Sequence, residues 1–141
     1  MGRCVLDDCL NPILERAARA DGYIFASQSH YGVASGSLAS LIHRFVTADR
    51  TCVGKPAAAV VTCRRSGATS ALSELNSFFA MKSMPIVTSS YWNLLVGSTP
   101  ELARQDLEGL RTMRNLARNM AWLLKSLDAG RQQGISAPAL E

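Results

Sequence analysis

Asp21-Gly22-Tyr23-Ile24-Phe25-Ala26-Ser27-Gln28-Ser29-His30-Tyr31-Gly32 is the stretch from which the fold is read. The turn pair Asp21-Gly22 releases a short apolar run, Tyr23 to Ala26, whose aromatic and β-branched residues predict a strand buried on both faces. Polar residues then take over, and Ser27 to Gly32 reads as a loop. Upstream, Asn11 as a cap and Pro12 in the first turn introduce Ile13, Leu14, Ala17 and Ala18, the stripe of a short amphipathic helix. Downstream, Leu38, Leu41, Ile42 and Phe45 recur at helical spacing from Ser35 onward.

The same pattern then repeats. Gly54-Lys55-Pro56 opens a second apolar strand, Ala57 to Thr62, which runs into the polar turn Cys63-Arg64-Arg65-Ser66-Gly67. Leu72, Leu75, Phe78 and Phe79 mark the next helix, and Met84-Pro85 breaks it before a third short strand at Ile86, Val87 and Thr88. After the segment Ser89 to Ser98, Thr99 is an N-cap, Pro100 the first helical residue and Glu101 a favourable first-turn acid. Leu107, Leu110, Met113, Leu116, Met120, Leu123 and Leu127 predict a long helix ending near Gly130. Residues 131–141 lack periodicity and are expected to form a mobile tail on a domain spanning residues 1–130. Strands alternating with helices predict an α/β fold, a parallel sheet with helices on both faces.

The chain has 141 residues, 48% hydrophobic and 18% charged, with five Pro and ten Gly, which suits one folded domain and excludes general disorder. Its net charge of +4 is spread along the chain: residues 1–62 hold six Lys and Arg against five Asp and Glu, and residues 63–141 hold nine against six. No basic arm results, so nucleic acid is not an expected partner. No apolar core of a signal peptide follows Met1, and the longest uncharged stretch, Gly22 to His43, carries too many Ser and other polar residues to span a bilayer. A cytoplasmic protein without membrane contact is expected, with Cys4, Cys9, Cys52 and Cys63 as free thiols.

In a parallel α/β sheet, ligands bind beyond the carboxyl ends of the strands. The loop Ser27-Gln28-Ser29-His30-Tyr31-Gly32 offers hydroxyls, an amide, an imidazole and a phenol beside a glycine that permits close backbone approach. The loop Thr62-Cys63-Arg64-Arg65-Ser66-Gly67-Ala68-Thr69 sets two guanidinium groups and backbone N–H groups at a helix start, where negative charge is favoured. An anionic or electron-rich planar ligand suits both loops, and solvated polar turns are the alternative reading.

The run from Asp21 to Gly32, with Ser35-Gly36-Ser37-Leu38, Arg44-Phe45, Gly54-Lys55-Pro56-Ala57-Ala58-Ala59-Val60, Cys63-Arg64-Arg65-Ser66-Gly67-Ala68 and Tyr91-Trp92-Asn93, resembles the flavodoxin-like NAD(P)H-dependent FMN reductases. The opening Gly2-Arg3-Cys4-Val5-Leu6-Asp7-Asp8 resembles the stretch closing a cysteine-rich insertion in their iron–sulfur flavoprotein relatives. The resemblance reaches about residue 130. It begins beyond the family's first strand, phosphate-binding loop, first helix and second strand. A flavodoxin-like sheet shortened at its N-terminal side to about three strands is therefore expected, with an open edge on the strand from Tyr23 to Ala26.

The resemblance implies FMN as cofactor and NAD(P)H as co-substrate. Carried over position by position, Ser27, Gln28, Ser29, His30, Tyr31 and Gly32 would line one edge of the flavin ring, and Cys63, Arg64, Arg65 and Gly67 its pyrimidine side. Gln28 stands where the family has proline, which loosens the loop. Tyr91, Trp92 and Asn93 are candidates for substrate or subunit contact. No catalytic residue is assigned, because the flavin carries hydride chemistry while protein supplies position and electrostatics; His30 is read as a hydrogen-bonding loop group. No metal is expected, since Cys4 and Cys9 alone cannot complete a tetrahedral site. Two function classes follow. One is a flavoprotein oxidoreductase passing hydride from a nicotinamide through FMN to a small acceptor, a quinone or a flavin. The other is a non-catalytic, oligomerising relative with weak or no flavin binding. Both are expected to form homo-oligomers.

Overall fold

A computed structural model describes residues 2–49 and 51–137. The elements in chain order are α1 (Leu10–Ala18), β1 (Tyr23–His30), β2 (Val33–Ala34), α2 (Gly36–Ala48), β3 (Ala57–Cys63), α3 (Ala68–Met81), β4 (Leu94–Val96), α4 (Pro100–Ala103) and α5 (Leu107–Gln132). They build one four-stranded sheet in the order β2-β1-β3-β4. β1 runs parallel to β3 from Tyr23 opposite Ala57 to Gln28 opposite Thr62, and β3 runs parallel to β4 from Val61 opposite Leu94 to Cys63 opposite Val96.

Helices cover both faces, as the alternation predicts. On one side α1, α2 and α3 bury Leu10, Leu14, Ile42, Phe45, Leu75 and Phe79 against Tyr23, Ala57, Ala59 and Val61. Phe25, partly buried, stacks among them, 5.5 Å from both the Phe45 and the Phe79 ring. On the other side α5 packs Leu116 and Met120 against Ala58 and Val87.

β3 is buried on both faces, but β1 is not. Tyr23 and Ser27 point inward while Ile24, Ala26 and Gln28 are exposed, Ile24 by 56%. The strand therefore alternates, because α5 covers β3 and leaves the outward face of β1 bare. Apolar content alone cannot separate those two cases.

The loop expected from Ser27 to Gly32 is mostly strand. Ser27 to His30 continue β1, and only Tyr31 and Gly32 form the turn, with φ of 53° and 86°. Two successive residues of positive φ match the twist of an antiparallel ribbon, so the chain reverses into β2 with His30 opposite Val33 and Ser29 opposite Ala34.

The third strand is also displaced. Ile86 makes only one bridge, to Ala57, before the chain leaves the sheet and returns as β4. Side chains of α5 hold the excursion: Asn119 donates to the Thr88 carbonyl at 2.7 Å and Asn115 to the Ser90 hydroxyl at 2.9 Å.

Asn11 does not cap α1. Asp8 accepts the Leu10 N–H at 3.0 Å, while the buried Asn11 amide bonds Cys4 N, Cys4 O and Leu6 O and ties the N-terminal segment to the helix. Thr99 caps α4 as expected, but that helix ends at Ala103, and Asp106 starts α5 afresh by accepting the Gly109 N–H at 2.9 Å. α5 continues to Gln132, so two residues assigned to the tail are helical. Residues 138–141 of that tail lie outside the described residues. No helix among the described residues is long and apolar enough to cross a membrane.

Candidate functional site

Parallel pairing of β1 with β3 brings two chain reversals to one end of the sheet. The first is the turn at Tyr31-Gly32, whose tyrosine side chain is fully exposed. The second is the loop Arg64-Arg65-Ser66-Gly67, which leaves β3 and starts α3 with Gly67 at φ 83°. The two touch backbone to backbone. A Cβ placed on Gly67 would lie 3.0 Å from the Gly32 Cα and 3.0 Å from the Ser29 Oγ, so no other residue fits there without movement.

Side chains hold this contact in place. The buried Ser27 hydroxyl accepts the Ser35 N–H at 2.9 Å and donates to the Gln28 carbonyl. Ser35 in turn caps α2 through Leu38, and Glu74 of α3 accepts the Ala34 N–H at 2.8 Å.

The structure thus separates residues that the sequence grouped together. Ser27 is a buried tie whose hydroxyl donates once and accepts once within the chain, and Cys63 is a buried strand end whose carbonyl accepts the Gly97 N–H at 2.9 Å. Gln28, His30, Tyr31, Arg64 and Arg65 are exposed, and Ser29 and Gly67 are half-buried between the loops. Tyr91, Trp92 and Asn93 lie on the chain that leads into β4. The Asn93 carbonyl accepts the Val61 N–H, two residues before the end of β3. Tyr91 and Trp92 are exposed with rings 5.0 Å apart; Asn93 is buried and its Oδ1 has no partner among the described residues.

Two features were missed in the sequence. Glu74 lies on a helix face with no motif to mark it. Gly97-Ser98-Thr99 follows β4 at the ligand end, because Val96 pairs with Cys63, and it hid behind a strand of three residues.

Electrostatically the ledge favours an anion. Neither Arg64 nor Arg65 pairs with a carboxylate among the described residues. The first N–H groups of α3 open beside them with no side-chain cap from Gly67. Two guanidinium groups, a helix start and two glycines without Cβ together offer hydrogen-bond donors.

The family model for NADPH-dependent FMN reductase matches residues 1–97. The chain belongs to the NADPH-dependent FMN reductase family. An iron-sulfur flavoprotein of Methanocaldococcus jannaschii is 31% identical over 134 residues, covering 88% of this chain and 69% of the relative. Among solved structures, a metal-soaked flavodiiron core from Synechocystis sp. PCC6803 superposes with a TM-score of 0.62 at 18% identity, over 84% of this chain and 27% of that one. That likeness concerns the fold, which is flavodoxin-like.

Within this FMN reductase fold the ledge suits the ring of FMN. Gly32 and Gly67 leave backbone accessible where two loops meet, and Arg64 and Arg65 supply unpaired cations. Among the described residues no cluster of three or more His, Cys, Asp or Glu is placed to hold a metal.

Proposed function

We propose that this FMN reductase family member is a flavin oxidoreductase that seats the FMN ring on the ledge formed by the Tyr31-Gly32 turn and the Arg64 to Gly67 loop. The observation that carries the reading is the backbone contact of Gly32 with Gly67 beside two unpaired guanidinium groups. Gly32, Tyr31 and Ser29 would border one edge of the ring, and Arg64, Arg65 and Gly67 its pyrimidine side. When bound, FMN supplies the hydride chemistry, taken from NAD(P)H and passed to a small acceptor such as a quinone or a flavin. The chain's part is to hold the ring flat, to donate hydrogen bonds from the start of α3, and to favour negative charge at the pyrimidine side through Arg64 and Arg65. His30 and Tyr31 are exposed and would be available to hydrogen-bond a substrate.

The test is titration of purified chain with FMN, followed by NADPH and NADH oxidation with a quinone. Saturable FMN binding with nicotinamide-dependent turnover supports the reading; a colourless protein that FMN does not bind sinks it. One observation favours a second reading. The bare face of β1, with Ile24 exposed by 56%, suits a flavodoxin-like protein whose main activity is self-association, with weak flavin binding. The same titration separates the two.

A further inference from the structure

We infer that Glu74 is a positioning residue for the flavin ledge: from α3 it fixes the β1–β2 turn against the loop that starts the same helix. This rests on the reading of the ledge as the FMN site. The geometry has three parts. In a hairpin with a two-residue turn, His30 and Val33 form the closing hydrogen-bonded pair, so Ser29 and Ala34 are the next, non-bonded pair. The Ala34 N–H consequently points away from β1, and Ala34 is only 3% exposed. An unpaired buried donor there would be costly, and the Glu74 carboxylate satisfies it at 2.8 Å across a separation of forty residues.

Second, Gly67 is the N-cap of α3, and Glu74 lies about two turns further along. One rigid helix therefore carries both the loop that touches Gly32 and the carboxylate that holds the strand after Gly32. Third, β2 is only two residues long, so its own ladder gives the turn little support. Tyr31, at φ 53° with its side chain in solvent, adds no packing of its own to the turn. Loss of the Glu74 bond would let the turn drift from Gly67 and break the ledge into two independent loops.

The experiment compares the full chain with Glu74→Ala and Glu74→Gln, reading FMN affinity by fluorescence titration and the Ala34 amide by hydrogen exchange. Removing a charged hydrogen bond should weaken FMN binding roughly tenfold in the alanine variant and speed Ala34 exchange by a similar factor. Glutamine keeps a carbonyl acceptor and should restore both values to near those of the parent. The urea midpoint of the alanine variant should fall as well, because a buried donor loses its partner and the gain in helix propensity is smaller, and glutamine should recover most of that fall. Two outcomes overturn the inference: Ala34 exchange unchanged in the alanine variant, or faster exchange with FMN affinity equal to that of the parent. A parent chain that binds no FMN overturns the flavin reading itself, and is told apart because the failure appears before any substitution.

Discussion

Gly67 carries the sharpest prediction at the scale of single residues. Its φ of 83° strains any L side chain and a Cβ there would lie 3.0 Å from the Gly32 Cα, so Gly67→Ala strains the backbone and pushes the two loops apart. A loss of about 1–3 kcal/mol is expected in urea unfolding, with a matching fall in FMN affinity. Arg64 and Arg65 behave in the opposite way. Both are exposed, so replacing them together by glutamine should leave the unfolding midpoint almost unmoved. The reduction potential of bound FMN should fall, since charge-assisted hydrogen bonds that favour the negatively charged ring are removed. A spectroelectrochemical titration giving equal potentials for variant and parent would return both arginines to solvent.

Among elements, a charge pair adds to the Asn11 ties that hold the N-terminal segment to the helices behind it. Asp8 accepts the Leu10 N–H and meets Arg44 of α2 at 2.8 Å. The Leu10 hydrogen bond first, and the Arg44 guanidinium second, hold its carboxyl below the ordinary value of 3.8. A carboxyl whose folded value is depressed contributes stability above its unfolded value and loses it as pH falls through the folded one. The contribution of Asp8 is therefore present above about pH 3.8 and disappears under stronger acid. Asp8→Asn should flatten that part of the acid-unfolding curve while leaving the neutral-pH arm parallel to the parent's. Curves that superpose throughout would show that the pair adds nothing to folding.

At the scale of the whole molecule, the uncovered side of β1 sets the expectation. Phe79 is fully buried between α3 and the sheet, so Phe79→Ala should cost about 3–5 kcal/mol. Ile24 is 56% exposed, so in an isolated chain Ile24→Ala should cost well under half of that. The hydrogen bond from Tyr23 N to Pro56 O turns Tyr23 toward β3, which leaves alternate residues Ile24 and Ala26 facing the outer edge with their backbone groups. An open edge beside an apolar face favours self-association, and light scattering should show dimers or larger species that Ile24→Glu dissociates. A well-folded monomer at working concentration would contradict this.

Alternation of apolar runs with helical stripes determined the α/β class, and the two polar loops pointed to the end of the sheet where the ledge lies. These were legible because Ala57 to Thr62 and the Leu72 to Phe79 stripe are local patterns with their own periods. Tyr31-Gly32 was not legible as a hairpin turn, because tyrosine at positive φ is unusual and is imposed by the strands it joins. Nor was β4, whose three residues become a strand only through pairing with Val61 to Cys63. Which residues of the loops are exposed, and that Ser27 and Cys63 are buried, was decided by tertiary structure alone. Burial belongs to what packs against a residue, and the contacts that made the ledge, Gly32 with Gly67 and Ala34 with Glu74, join positions far apart in the chain.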